Sequence, residues 1–188
     1  MAAPGTLAWL ACIALALPCV AVAGERIDPA RSSADFDIDL RIGGDRVRGR
    51  LPQVAGALVR TEDGRMRIEM EVDSTATEVP GQPRYTRMLR GPQFFDSARH
   101  PRVLFVSDPF PAERLREGGM FEGLLTLRGV TRRERLALLP ADCARPLRDC
   151  PLRASGALLR GRYGMRSLRL VAGEEVRYRF VLLGERAP

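Results

Sequence analysis

Apolar and polar residues alternate with a period of two along most of the chain, which is the pattern of half-buried β-strands. In segment 34–40 apolar residues alternate with three aspartates, and in segment 66–72 they alternate with one arginine and two glutamates. Segment 46–60 continues the pattern but is interrupted at Pro52. The remaining predicted strands are 103–107, 121–127, 136–139, 152–160 and 176–182, with a poorer candidate at 110–116.

These segments predict an all-β fold of about eight strands. Short Gly- and Asp-rich links, such as Gly43-Gly44-Asp45 and Glu62-Asp63-Gly64, favour antiparallel neighbours. Gly49 and Gly56 interrupt strands where a curling sheet would need bends or bulges. Eight strands can close into a barrel that holds side chains or one small ligand. We therefore expect an eight-stranded antiparallel barrel, and a two-sheet sandwich is the alternative.

One non-strand insert lies near the middle of the chain. The segment Met88–Ser107, which contains most of it, is the part of the sequence on which the functional prediction depends most. Tyr85, Met88 and Leu89 fall at i, i+3 and i+4, which predicts a short helix. Pro92 ends it before Phe94-Phe95-Asp96. Large apolar side chains on an insert in a β-protein would be well placed to cap a ligand.

The amino end predicts export. Residues 7–23 are apolar or small, and Ala21-Val22-Ala23 forms a cleavage site before Gly24, so we expect a signal peptide at 1–23 and a single domain at 24–188 in the periplasm. No Lys or Arg precedes the apolar run, which departs from the usual pattern. A lipoprotein acylated at Cys19 is disfavoured because Pro18 stands where a small residue is expected.

Composition excludes several other classes. The 188 residues carry a net charge of +7, and all 30 basic residues are arginine. Such an excess can indicate binding to nucleic acid or to an anionic membrane. The arginines are scattered along the sequence, so we interpret them as solvent-facing residues, and we expect no nucleic-acid partner and no stable membrane span.

The cysteines of the exported chain predict one disulfide. Cleavage after Ala23 would leave Cys143 and Cys150, which are seven positions apart. One His and two Cys are too few for a zinc site, and no CxxC spacing occurs. We expect no metal and no cofactor.

Five short motifs in a fixed order carry a family resemblance. They are Phe36-x-Ile38; Val47-x-Gly49; Phe94-Phe95-Asp96 with Pro101 and Phe105-x-Ser107; Gly123-x-Leu125-Thr126-Leu127-x-Gly129-Val130-Thr131; and Tyr163-Gly164-Met165 before the last strand. With them the chain resembles the YceI-like family of exported, lipocalin-like barrels that bind polyisoprenoid-type lipids, over roughly Ile27 to Leu183. The family commonly has Arg-Asp-x-His-Leu where this chain has residues 85–89, and only Leu89 is retained. We therefore do not expect here the polar head-group contacts that the family's Arg, Asp or His provides elsewhere.

The inward apolar set supplies the candidate ligand contacts. These are Phe36, Ile38, Ile68, Met70, Met88, Leu89, Phe94, Phe95, Phe105, Phe121, Tyr178 and Phe180. We expect an exported carrier for a long apolar molecule, isoprenoid- or lipid-like. The alternative is a periplasmic, stress-related interaction module in which the same side chains fill a solid core. The sequence leaves open a homodimer.

Catalysis finds little support, and we predict a non-enzyme. His100 is the only histidine and lies in a turn before Pro101. Asp96 and Glu78 are the candidate acid and base of a hydrolase. A carboxylate such as Asp96 more often organises a turn.

Overall fold

The fold is a single, strongly curled antiparallel sheet, seen in a computed structural model that describes residues 24–186. The strands are β1 Glu25–Ile27, β2 Ser33–Leu40, β3 Arg46–Pro52, β4 Ala55–Arg60, β5 Met66–Asp73, β6 Arg102–Ser107, β7 Gly119–Leu127, β8 Val130–Leu138, β9 Leu152–Leu159 and β10 Ala172–Leu182. Helix α1 spans Pro83–Arg90 and helix α2 spans Arg114–Glu117, and 3₁₀ turns lie at Pro29–Arg31, Ser74–Ala76 and Arg160–Tyr163.

The order of the strands corrects the predicted closed, eight-stranded barrel. The sheet has ten strands in the order β1-β4-β5-β6-β7-β8-β9-β10-β2-β3, so β1 and β3 are its two edges. The chain passes from β3 to β4 through only Gln53 and Val54, yet the two strands do not pair. Pro52 has no amide hydrogen to donate, and Gln53 turns the chain with a φ of 62°. The sheet is therefore an open barrel whose opposite sides are joined by the chain itself.

A short segment outside the strands partly covers the open edge. The amide of Arg50 in β3 donates to the carbonyl of Glu78, and the amide of Glu78 donates back, both at 2.8 Å. Glu78 belongs to the connection from β5 to α1. This pair satisfies edge groups of β3 that the ladder leaves free.

The predicted and the observed strands differ in several places. Strand β1 was not predicted, and the poorer candidate at 110–116 is wrong: Phe110 makes only an isolated bridge to Met66, and α2 follows. Strand β8 begins at Val130 rather than near residue 136. Arg128 and Gly129 both have positive φ (55° and 73°), which is the geometry of a two-residue hairpin turn, so β7 runs directly into β8.

The barrel interior is built by aromatic side chains that lie over glycines of neighbouring strands. Gly49 pairs with Phe36, and Gly156 pairs with Tyr178. A methyl group on Gly49 would lie 2.1 Å from Cζ of Phe36, so the ring occupies the space that the missing side chain leaves. Gly49 is therefore a packing site rather than the bend expected from the sequence. Gly56, with a φ of 148°, is a real departure from strand geometry.

The outer face carries charged residues that pair across strands. Asp35 of β2 accepts from Arg50 of β3 at 2.9 Å, and Glu122 of β7 accepts from Arg135 of β8 at 2.7 Å. Exposed pairs of this kind contribute at most about 1 kcal/mol each. Their consequence is an alternating charge pattern that leaves little unbalanced charge on these strands.

The predicted disulfide is present between Cys143 and Cys150, whose Cα atoms are 6.1 Å apart. Its loop buries Leu147, which is 1% exposed, and the Leu147 carbonyl accepts from the amide of Gly184 at 2.6 Å. The loop thus fastens the end of β10 to the barrel. None of the helices in the described part of the chain is long and apolar enough to cross a bilayer.

Candidate ligand-binding site

A small cavity lies inside the barrel, with a volume of about 80 Å³. Its exposed surface is contributed entirely by apolar atoms. Eight of the twelve predicted ligand contacts line it: Phe36, Ile38, Leu89, Phe94, Phe95, Phe105, Tyr178 and Phe180. The structure therefore brings the aromatic residues of the strands and of the insert around one space, and their role in ligand binding stays a prediction.

A second apolar space, of about 100 Å³, lies beside the first. It is bounded by the ends of β2 and β3, by Tyr85 and Met88 of α1, and by Leu168 and Val171 of the segment before β10. We call it the mouth groove. Ile38, Leu89 and Phe94 line both the cavity and the mouth groove, so these side chains form the partition between them.

The other predicted contacts lie elsewhere. Met88 lines the mouth groove, whereas Ile68 and Met70 are buried in the core and line neither space. Phe121 packs against Phe105 and Phe110 and borders a separate, partly polar groove. Sequence reasoning missed other wall residues, among them Leu125, Leu127, Leu136, Leu158 and Met165.

The insert above the cavity is held by a dense set of backbone hydrogen bonds. Pro83 occupies the first turn of α1, where a missing amide hydrogen costs nothing, and the helix ends at Gly91. The chain then reverses so that the amide of Phe95 donates to the carbonyl of Leu89 at 2.9 Å. This reversal turns Phe94 and Leu89 inward, where they are 2% and 1% exposed.

Asp96 contributes to this reversal mainly through its backbone. Its φ is 51°, its amide donates to the carbonyl of Gly91, and its carbonyl accepts from the amides of Arg99 and His100. Asp96 is buried, while Glu78, the other candidate carboxylate, is exposed. The imidazole of His100 is only half-buried and lies against the β7–β8 turn.

Arg160 is a further wall residue that sequence reasoning did not anticipate. It is 0% exposed, and its guanidinium donates to the carbonyls of Met165, Ser167, Ala172 and Gly173 at 2.7–3.1 Å. Its Cζ also lies 5.7 Å from the ring centre of Phe94. Burial lowers the pKa of Arg160 from its ordinary value, with the nearby Glu174 opposing that effect. Arg160 therefore ties the segment before β10 to the insert. The one feature of the sequence that could have pointed to Arg160 is its position shortly before the motif Tyr163-Gly164-Met165.

Strand β8 carries a buried carboxylate, Glu134. The Tyr163 hydroxyl donates to Oε1 of Glu134 at 2.8 Å, and Arg162 lies 3.2 Å from the same oxygen. The Tyr178 hydroxyl is also buried but has no hydrogen-bond partner among residues 24–186. Burial, with the Glu134 charge, raises the pKa of both tyrosines above the ordinary value. Both phenols stay neutral at physiological pH.

Comparison with known proteins supports the architecture and the family. The YceI-like domain matches residues 26–182 of the chain. BcnA of Burkholderia cenocepacia is similar in structure, with a TM-score of 0.63 at 18% identity, over 83% of this chain and 98% of that one. A polyisoprenoid binding domain from Saccharophagus degradans, described as implicated in plant cell wall breakdown, has a TM-score of 0.61 at 15% identity, over 86% and 98%.

A third structure, the YCEI protein of Campylobacter jejuni, has a TM-score of 0.54 at 14% identity, over 76% of this chain and 87% of that one. No curated protein matches the chain significantly in sequence. At these identities the structural likeness establishes the fold, while the domain match covers most of the chain.

Proposed function

Because the chain belongs to the YceI-like family, we propose that it is an exported carrier that holds a long apolar molecule, isoprenoid- or lipid-like, inside its open barrel. The observation that carries the proposal is the wholly apolar cavity beneath the insert, lined by residues of both the insert and the strands. The similarity in fold to the polyisoprenoid binding domain from Saccharophagus degradans supports the same ligand class.

The energetics favour an apolar chain over a compact polar ligand. A five-carbon isoprene unit transferred from water contributes roughly 3–4 kcal/mol at about 0.8 kcal/mol per buried carbon. A few units offset the association cost of about 4–15 kcal/mol. No polar atom is exposed to the cavity, so a polar ligand would lose its hydrogen bonds to water there and gain none in return.

The volume requires the partition to move. A cavity of about 80 Å³ is smaller than the apolar cavity of about 150 Å³ that holds benzene in a well-studied case. A long ligand must therefore also occupy the mouth groove, and Leu89 and Phe94 must turn aside. The two spaces already share these side chains, so their rotation would join them.

Native mass spectrometry of protein purified from the periplasm without detergent tests the proposal directly. We expect a bound mass that transfers to organic solvent and is identified there as an isoprenoid or another lipid. An intact mass beginning at Gly24 would test export in the same spectrum, since residues 1–23 lie outside the described part of the chain. A consistently empty protein that takes up no added lipid would contradict the carrier.

A matched pair of variants on β8 locates the site. Leu136 lines the cavity, and Leu138, two residues further along the same face, is equally buried but does not line it. Leu136→Phe should fill the cavity and lower lipid occupancy about tenfold. Leu138→Phe should overpack the core by the same added volume and keep the lipid. Equal occupancy in the two variants would place the ligand elsewhere.

One observation favours the second candidate, a periplasmic stress-related interaction module with a solid core. The cavity is well below the roughly 300–1,000 Å³ usual for ligand sites. This alternative predicts no bound lipid and a co-purifying protein partner. Neither proposal gives the chain a catalytic step. Asp96 does not line the cavity and organises its turn through its backbone, so Asp96→Asn should leave lipid occupancy unchanged.

A further inference from the structure

The fold gathers at the mouth groove several arginines that are far apart in sequence. Strands β2, β5, β7 and β9 all end at one end of the antiparallel sheet, which is where the insert lies. Three segments meet there: the β2–β3 turn at 41–45, helix α1 and the segment 166–171 before β10. The amide of Arg41 donates to the carbonyl of Val171 at 2.8 Å, and α1 borders the same groove through Tyr85.

Two of these segments hold large apolar side chains in the solvent. Ile42, at the β2–β3 turn, is 68% exposed, and Leu170 is 86% exposed. Leu168 and Val171 are each 39% exposed and form part of the wall of the mouth groove. The apolar surface therefore extends from the groove to two protruding tips.

The same three segments carry an excess of positive charge. Arg41, Arg84, Arg87, Arg166 and Arg169 are all exposed, and none forms a salt bridge among residues 24–186. Asp45 is the one acidic residue within these segments, and Glu174 of β10 lies near Arg169. Many arginines on the outer faces of the strands, by contrast, face aspartate or glutamate. We call the five arginines with Ile42 and Leu170 the mouth face.

We propose that the mouth face docks on the surface of an anionic lipid bilayer. Ile42 and Leu170 enter the headgroup region, and the five arginines contact lipid phosphates. A docked barrel presents its mouth groove to the acyl chains, so a lipid passes between bilayer and cavity without crossing water. The inference rests on the carrier function proposed above and adds where the ligand is exchanged.

Charge argues against a second copy of this chain as the occupant. A two-fold interface built from the mouth face would bring two sets of unpaired arginines together, and like charges at an interface are destabilising. An anionic bilayer instead offers phosphates to every arginine at once. The five arginines of the mouth face are scattered in the sequence, and only folding brings them together so that one anionic surface can contact all of them.

Sedimentation with vesicles tests the docking. We expect the full exported chain to bind vesicles of phosphatidylcholine with 30% phosphatidylglycerol, to bind pure phosphatidylcholine at least tenfold more weakly, and to be released by 0.5 M salt. The triple variant Arg84→Gln, Arg87→Gln, Arg169→Gln should bind about 100-fold more weakly, since each arginine near an anionic surface contributes about a factor of five. Ile42→Ser with Leu170→Ser should also weaken binding.

Two control variants share the chemistry but not the location. The first control is a triple variant that removes three exposed arginines at the other end of the barrel: Arg116→Gln, Arg148→Gln, Arg153→Gln. The second is a double variant that removes two exposed apolar side chains from the outer face of β6 and β7: Val106→Ser with Leu124→Ser. Both should bind the anionic vesicles as the unaltered chain does. Equal loss in the mouth-face and control triples, or equal binding to neutral and anionic vesicles, would overturn the proposal. The proposal would also be overturned if sedimentation velocity showed that the unaltered chain is a dimer and that the mouth-face triple variant is a monomer.

Native mass spectra of the same samples separate this inference from the carrier proposal. Protein that carries lipid but does not bind vesicles retains the proposed function and refutes the docking. Protein that binds anionic vesicles through the mouth face but never carries lipid confirms the docking and refutes the carrier.

Discussion

At the scale of single residues, the two buried tyrosines of the barrel wall differ in one hydrogen bond. The Tyr163 hydroxyl donates to Glu134, while the Tyr178 hydroxyl is buried over Gly156 and finds no partner in the described part of the chain. A buried hydroxyl without a partner has lost its water contacts and gained nothing in return. The two positions therefore make a natural comparison.

We predict opposite results for the two tyrosine-to-phenylalanine variants. Tyr178→Phe should leave the free energy of unfolding unchanged or raise it by up to about 1 kcal/mol, because it removes an unpaired polar group. Tyr163→Phe should lower it by about 1–3 kcal/mol, because Glu134 stays buried and loses its phenol donor. Urea unfolding measures both. A comparable loss in Tyr178→Phe would mean that its hydroxyl has a partner in solution.

The same tyrosines predict a loss of stability at high pH. Burial raises the pKa of both phenols in the folded chain above the value of about 10 in an unfolded chain. Below pH 10 both states hold these protons, so the full stability is present. Above it the unfolded chain releases them first, and stability falls as pH rises toward the folded pKa. Unfolding free energies at pH 9 and 11 should therefore differ by more in the unaltered chain than in Tyr178→Phe.

At the scale of elements, alternation in sequence located the strands whose inward residues are all apolar. Segments 34–40 and 66–72 match β2 and β5 to within a residue at each end. The first half of β8 could not be predicted, because its inward position is Glu134, which is buried only through Tyr163 and Arg162. The aromatic wall of the cavity was also predictable, whereas Arg160 was not, since its partners are backbone carbonyls that only the fold brings together.

The contact of Phe36 with Gly49 predicts a coupled effect between neighbouring strands. Gly49→Ala should lower the free energy of unfolding by about 1–3 kcal/mol, because its methyl group forces the Phe36 ring off its site and into the cavity. Adding Phe36→Leu to Gly49→Ala should recover part of that loss. The double variant should then lose less unfolding free energy than the sum of the two single variants, and the difference is the coupling energy of a double-mutant cycle. Strictly additive losses would show that the ring does not fill the space over Gly49.

At the scale of the whole molecule, the barrel is open along one line and both edges of its sheet are short or poorly covered. Edge strand β1 has three residues and depends on β4 for its ladder. The end of the chain adds two contacts beside it: Ile27 bridges Gly184, and the amide of Asp28 donates to the carbonyl of Leu183. The stability of this edge is therefore coupled to how firmly the end of β10 is held.

The disulfide loop holds that end, which gives its removal a local as well as a global consequence. A double Cys143→Ser, Cys150→Ser variant should lose about 2.5 kcal/mol of unfolding free energy, the value that chain entropy gives for so short a loop. It should also speed amide hydrogen exchange at Ile27 and Gly184, because the Leu147 carbonyl that accepts from Gly184 lies inside the loop.

Amide hydrogen exchange in β7, which lies far from this edge in the sheet, should become faster only by the amount that the loss of global unfolding free energy accounts for. Lipid occupancy should not change, because the loop joins β8 to β9 at the end of the barrel away from the mouth groove. Reduction of the unaltered chain with dithiothreitol should reproduce both effects and serves as the control for the serine substitutions. Uniform acceleration across all strands would show that the disulfide stabilises the barrel as a whole and does not act on this edge.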